Sequence, residues 1–183
     1  MLKRSNFLTP NVNEMTQSPP LILALKLDDA SFAYLNRLRK AHFPPAINYL
    51  DAHLTLFHHL PDVPAVTDLL RTVAGAQPPM LLEVTGLMKL GRGVAFRLKS
   101  EPLVALQAYL KGQWRAFLTP QDGQDFRPHV TVQNKVDPAT ANALYEELSA
   151  AFKPFTATGT GLSLWEYHNG PWRKREDFGF RSL

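Results

Sequence analysis

An α+β fold built from two copies of one unit is what this sequence predicts, and three observations carry that expectation. The tetrapeptide His53-Leu54-Thr55-Leu56 returns as His129-Val130-Thr131-Val132. Both copies sit in the same order of predicted elements: strand, helix, strand with the His-x-Thr pattern, helix, strand. The spacings agree as well. Leu21 to His53 is 32 residues and Val94 to His129 is 35, while His53 to Met80 is 27 and His129 to Phe155 is 26. If an approximate two-fold axis relates the halves, the two His-Thr faces meet across a cleft, the kind of place where ligand sites form.

Each element has a local reason. Pro19 and Pro20 end a polar stretch, and the apolar run Leu21 to Leu27 has the length of a central strand. Asp28 and Asp29 offer N-caps to a helix through about His42, with Phe32, Leu35 and Leu38 at helical spacing and Pro44-Pro45 as its stop. The His53 strand follows. Asp62 to about Ala76 reads as a helix with Val66, Leu69, Leu70 and Val73 on one face, closed by Pro78-Pro79. Met80 to Leu90 and Val94 to Lys99 read as a hairpin around Gly91-Arg92-Gly93. In the second unit, Glu101 to Leu118 is a predicted helix striped by Leu103, Leu106 and Leu110, and Thr119 to Pro128 a polar loop ahead of the His129 strand. Pro138 to Phe152 is the next helix and Phe155 to Tyr167 the next strand, and Lys174 to Phe180 adds a last strand after the Gly170 to Trp172 turn.

With 183 residues, 45% of them hydrophobic and 20% charged, the chain can bury one core shared by two small lobes. Residues 1–18 are expected to be a flexible tail without the apolar run of a secretory signal, and residues 19–183 a single domain. No stretch approaches the ~18 consecutive apolar residues of a membrane span. The absence of cysteine excludes a thiolate nucleophile, an iron-sulfur cluster, a cysteine zinc site and disulfides, and a reducing cytoplasm is the expected compartment. A formal charge of +4 suits an anionic ligand, although it also falls in the range that merely keeps a domain soluble.

The repeated motif carries the chemistry. Alternation on a strand puts His53 and Thr55 on one face, about 6–7 Å apart, with Leu54 and Leu56 toward the core; His129 and Thr131 repeat this. Near neutrality one imidazole can accept a proton while another donates one, and two hydroxyls can hold the non-bridging oxygens of a phosphate. His53 and His129 are therefore the candidate catalytic residues, and Thr55 and Thr131 the candidate substrate-binding residues. Strict alternation continues the first motif with His59 on the His53 face and His58 toward the core. A metal site at His53, His58 and His59 is disfavoured by their mixed parity and the lack of a neighbouring carboxylate, so no metal or cofactor is expected. Trp165, Tyr167 and Trp172 can stack a nucleobase, but core packing accounts equally well for Trp165. Lys89, Arg92, Arg97, Arg127 and Lys135 read as a solvated basic surface. None of these joins the expected site.

His53-Leu54-Thr55-Leu56-Phe57 and Phe126-Arg127-Pro128-His129-Val130-Thr131-Val132 together resemble the two-histidine phosphoesterase superfamily. Bacterial 2'-5' RNA ligase or RNA 2',3'-cyclic phosphodiesterase proteins belong to that superfamily, and the resemblance runs from Pro19 onward. It implies a bilobal α+β fold with antiparallel sheets lining a central cleft and helices packed outside. It also implies metal-independent hydrolysis or transfer at cyclic phosphates or 2'-5' linkages, with an RNA end or a cyclic nucleotide as substrate, no membrane and no obligatory protein partner. By similarity His129 is the base and His53 the acid in hydrolysis. The chain departs from the ligase-like members at Gln133-Asn134, where many of them carry a basic residue. Two other readings remain beside the cyclic phosphodiesterase: a module that binds an RNA end or nucleotide without turnover, and a reversible 2'-5' RNA ligase.

Overall fold

The computed structural model describes residues 18–181, so the expected tail lies outside the described residues except for Ser18. Strand β1 (Leu21–Leu27) is buried throughout apart from Lys26, as befits a strand covered on both faces. Helix α1 (Asp29–His42) starts where the Asp28 carboxylate accepts the Ser31 N–H at 2.9 Å. Then come β2 (Leu54–Leu60), α2 (Pro64–Ala76), β3 (Met80–Lys89), β4 (Val94–Lys99), α3 (Glu101–Gln113), β5 (His129–Gln133), α4 (Pro138–Ala151), β6 (Phe155–Tyr167) and β7 (Trp172–Gly179). Proline in the first turn of α2, α3 and α4 fits helix starts, where no N–H partner is lost.

Two expectations need correcting. The helix expected through Leu118 ends at Gln113, because Trp114 leaves the helical path and is buried edge-on against Phe57, ring centroids 5.2 Å apart. His58 does not face the core. Register shifts in the β1–β2 pairing set Thr55 opposite Ala24 but Phe57 opposite Leu23 and Leu60 opposite Leu21, so the alternation slips within β2. Phe57 is thereby buried, and His58 and His59 are both exposed.

The strands form one antiparallel sheet in the order β2-β1-β6-β3-β4-β5. The 13-residue strand β6 serves both halves: on one edge its residues Gly159–Glu166 pair with β1, and on the other Phe155–Gly159 pair with β3 while Gly161–Tyr167 pair with β7. The order is that of two exchanged units. Each unit's last strand lies beside the other unit's first, and Leu82 faces Ala157, its counterpart by the spacing of the repeat. Helices cross over too: Tyr34 of α1 packs edge-on against Phe96 of β4 and Phe155 of β6, while Trp114 at the end of α3 packs on Phe57 of β2. A single hydrophobic cluster runs through both lobes. The strands β2 and β5 at the two ends of this order carry the His-Thr motifs, while β7, paired only with β6, forms a further edge.

Gly93 shows how tightly β5 is seated. A Cβ there would lie 2.0 Å from the Gln133 carbonyl oxygen and 2.6 Å from Asn134 Cα, both backbone. Gly93→Ala is therefore expected to destabilise the protein by about 1–3 kcal/mol, lowering the melting temperature about 2–4 °C for each kcal/mol. Gly75→Ala in α2, which meets nothing within 4 Å, is expected to raise it, since alanine in a helix gains about 0.5–1 kcal/mol over glycine. Thermal melts of the two variants check this, and equal melting temperatures would contradict it.

Candidate active site

His53 stands immediately before β2 and His129 opens β5. Each imidazole is anchored in the same way. Nδ1 of His53 lies 2.7 Å from the Asp51 carbonyl oxygen, and Nδ1 of His129 lies 2.8 Å from that of Arg127. A carbonyl can only accept, so each Nδ1 carries the proton and donates it, leaving Nε2 as the nitrogen that takes or gives a proton. Thr55 and Thr131 are half-buried and sit opposite alanines, Ala24 and Ala95, on the inner neighbouring strands. The hydroxyls of Thr72, Thr119, Thr140 and Thr160 are tied to protein partners; among the described residues those of Thr55 and Thr131 are not.

The two motif strands are brought together by charged residues that the motif reading left out. Cα atoms of β2 and β5 come within 8 Å of one another without forming a ladder. Arg39 of α1, only 4% exposed, donates through Nε to Asn48 Oδ1 at 3.0 Å and the Leu50 carbonyl at 2.9 Å, and through Nη1 to the Thr131 carbonyl at 2.9 Å. It ties the loop before His53 to the strand of His129. Asn36, one turn earlier, holds the same loop by donating to Asp51 Oδ1 at 2.8 Å and accepting the Ala52 N–H at 2.9 Å. From the other half, buried Asp122 accepts the N–H groups of His58 at 2.8 Å and His59 at 3.0 Å, and contacts His58 Nδ1 at 3.0 Å. Burial opposes its charge, but the hydrogen bonds from His58 and His59 outweigh that and hold its pKa below the usual carboxylate value. The sequence did contain a signal: Arg39 falls four residues after Leu35, on the buried stripe of α1, where an arginine needs partners.

Beside His53 opens a cavity of about 390 Å³. Its walls include Phe32, Tyr49, Trp165 and Trp172, with Lys26 and Lys174 at the edge. Trp172 lies against His53 with ring centroids 4.6 Å apart, and Trp165 is 6.3 Å from Trp172. Trp165 thus faces the cavity, on the opposite side of β6 from Leu162 and Leu164, and its buried indole N–H has no partner among the described residues. Tyr167 does not line the cavity. The β7 strand that brings Trp172 is pinned by Glu166, whose carboxylate receives hydrogen bonds from Arg173, Arg175 and His168. The Arg175 bond is the largest cause holding its pKa down at about 2. Among the described residues no cluster of three or more His, Cys, Asp or Glu is arranged to hold a metal ion, and no helix is long and apolar enough to cross a membrane.

Packing against Trp172 and the surrounding walls pushes the His53 pKa down to about 4; the charges of Arg39, His129 and His58 add to this, and the Asp51 carbonyl opposes it. Between its ordinary value of 6.5 and about 4, the unfolded chain binds a proton at this position that the folded chain does not. The associated stability is complete above pH 6.5 and is lost as pH falls toward 4. Denaturant unfolding at pH 7 and pH 4.5 is expected to show a smaller pH-dependent loss for His53→Gln than for the unsubstituted protein. An NMR titration of the His53 ring is expected to have its midpoint near 4; a midpoint at or above 6.5 would contradict the burial argument.

The comparisons with known proteins agree with this architecture. The family model of the 2'-5' RNA ligase superfamily matches residues 27–171, which include both motifs. No curated protein matches the chain at the level of sequence. Among solved structures, TT0787 of Thermus thermophilus is similar over 89% of this chain and 98% of its own, with a TM-score of 0.61 and 18% identity. LigT of E. coli, in a crystal structure complexed with 3'-AMP, covers 91% of this chain and 100% of its own, with a TM-score of 0.57 and 21% identity. At these identities the likeness is one of fold: α+β, with an antiparallel sheet that does not close. With the family model spanning most of its length, the chain belongs to the 2'-5' RNA ligase superfamily of two-histidine phosphoesterases.

Proposed function

We propose that this protein is a metal-independent phosphodiesterase that opens 2',3'-cyclic phosphates of RNA ends or small nucleotides by general acid–base catalysis at His53 and His129. The observation that carries the proposal is the duplicated anchoring of the two imidazoles, each with Nδ1 fixed on the carbonyl two residues upstream. Each Nε2 is thereby left for proton transfer. One histidine takes a proton from water as the water oxygen bonds to phosphorus. The other gives a proton to the ribose oxygen whose bond to phosphorus breaks, so one proton enters and one leaves the pair per turnover. Thr55 and Thr131 donate to the non-bridging oxygens, where negative charge accumulates.

The burial of His53 bears on the role it takes. His53, held near 4 in the free protein, is neutral at pH 7, the form that accepts a proton. That supports His53 as the base and His129 as the acid, the reverse of the assignment the resemblance implies. The aromatic cavity beside His53 supports a nucleoside substrate, since a planar base stacks well on tryptophan. Structures of E. coli LigT complexed with 3'-AMP and with phosphate, a protein of the same fold, are in keeping with that choice. The family's name keeps RNA 2'-5' joining as a second activity, in which a 5'-hydroxyl replaces water as the group that bonds to phosphorus and the same proton transfers open the ring.

Incubation in EDTA with 2',3'-cyclic nucleotides and with a cyclic-phosphate-ended RNA is expected to give a phosphomonoester, with a bell-shaped dependence on pH whose limbs belong to the coupled pair. Alanine at His53 or His129 is expected to cost about 10²–10⁴-fold in turnover, and the double variant less than the product of the two losses. With bis(4-nitrophenyl) phosphate, whose leaving group needs no proton, the defect of His129→Ala should shrink more than that of His53→Ala. Binding without turnover in the unsubstituted protein would leave the binding-module reading. Trp172→Ala is expected to raise KM for nucleoside cyclic phosphates about 5- to 100-fold, the range of one lost base stack, with a smaller change in kcat.

A further inference from the structure

The register of the two outer pairs places one cation beside each motif. Leu25 pairs with Leu54 and Phe96 with Val130, so the residues after the two histidines occupy corresponding positions on β1 and β4. The residues that follow, Lys26 and Arg97, therefore correspond too. Lys26 shares the cavity wall with His53, and Arg97 is the cross-strand partner of His129. Directly opposed residues share a face of the sheet with Cβ atoms about 4.5–5.5 Å apart, well within the span of an arginine side chain. Phe96 and Leu98 on either side are buried while Arg97 is exposed, which sets its side chain on the face of His129 and Thr131. The two cations differ in their commitments. Lys26 is 3.7 Å from the Asp177 carboxylate. Arg97 makes one long contact, from Nη2 to the Leu87 carbonyl at 3.4 Å, and among the described residues no carboxylate pairs with it. The end of β5 supplies no charge here, since Gln133 is buried.

We propose that Arg97 binds the reacting phosphate from β4 and neutralises the charge it gains in the transition state, with Lys26 as a weaker counterpart on the His53 side. The proposal rests on the function proposed above and specifies which cation serves it. Its planar fork of donors suits two phosphate oxygens at once. Because the chain is so nearly symmetric at the motifs, this difference in commitments also gives the cleft a direction: the phosphate leans toward His129 and Arg97, and the planar group toward Trp165 and Trp172.

The test is titration of inorganic phosphate by calorimetry, alongside steady-state kinetics on a 2',3'-cyclic nucleotide, with melting temperatures to show that each variant is folded. Arg97→Ala is expected to weaken phosphate binding about 10- to 100-fold and to lower kcat. Arg97→Lys should restore part of both, and added guanidinium should restore part of the turnover of Arg97→Ala. Lys26→Ala should have a smaller effect, and Lys153→Ala, the same charge change on an exposed residue away from the motifs, almost none. Phosphate binding by Arg97→Ala within twofold of the unsubstituted protein overturns the proposal and leaves the two-histidine reading standing. Failure of the unsubstituted protein to bind phosphate overturns both.

Discussion

A buried guanidinium ties the loop before one motif to the strand of the other. Arg39 reaches out of α1 to the loop before His53 and to the carbonyl of Thr131 on the opposite edge strand. Asp122 reaches back from the second half to the N–H groups of His58 and His59. Outer strands leave rows of unpaired backbone groups, and here a cation takes a carbonyl on β5 while an anion takes two N–H groups on β2. Removing either partner would leave buried polar groups without compensation, a far greater cost than the net value of an ordinary hydrogen bond. The two motif strands are thus held near each other by groups outside the motifs.

The exchange of strands explains why this arrangement is reached at all. A unit of strand, helix, strand, helix, strand that kept its own last strand would build two independent sheets with freely variable spacing. Here β6 pairs with β1 of the first unit along one edge and with β3 along part of the other, so neither lobe completes its sheet alone. Trp114 carries the same interdependence into the core, and Tyr34 packs at its surface, each against the lobe of the other unit. The closeness of the two motif strands is a consequence of this shared core.

Symmetry fails where discrimination between ligands would be needed. Strand β7 has no counterpart in the first unit, and it brings Trp172 against His53 and Lys174 over the ring of Trp165. Burial at that side disfavours the charged form of His53, although its backbone anchoring repeats that of His129.

Hydrophobic periodicity, prolines and caps were enough to place the strands and helices from Leu21 onward, because those preferences act within a few residues. The His-Thr pairs were legible for the same reason: alternation fixes which side chains share a face. His58 escaped that reading, since a slip of register in β2 depends on how β1 pairs with it, and Trp114 ended its helix early for a contact with a strand far away in sequence. Arg39 and Thr131 are 92 residues apart. No local pattern encodes such a contact, although an arginine on an apolar stripe announces that a partner must exist. Trp165 and Trp172 became cavity walls only once β7 had folded against β6. What the sequence determined by itself was the identity and facing of the groups that can do chemistry; their separation, charge state and surroundings were decided by tertiary structure, because burial and the pairing of distant strands set all three.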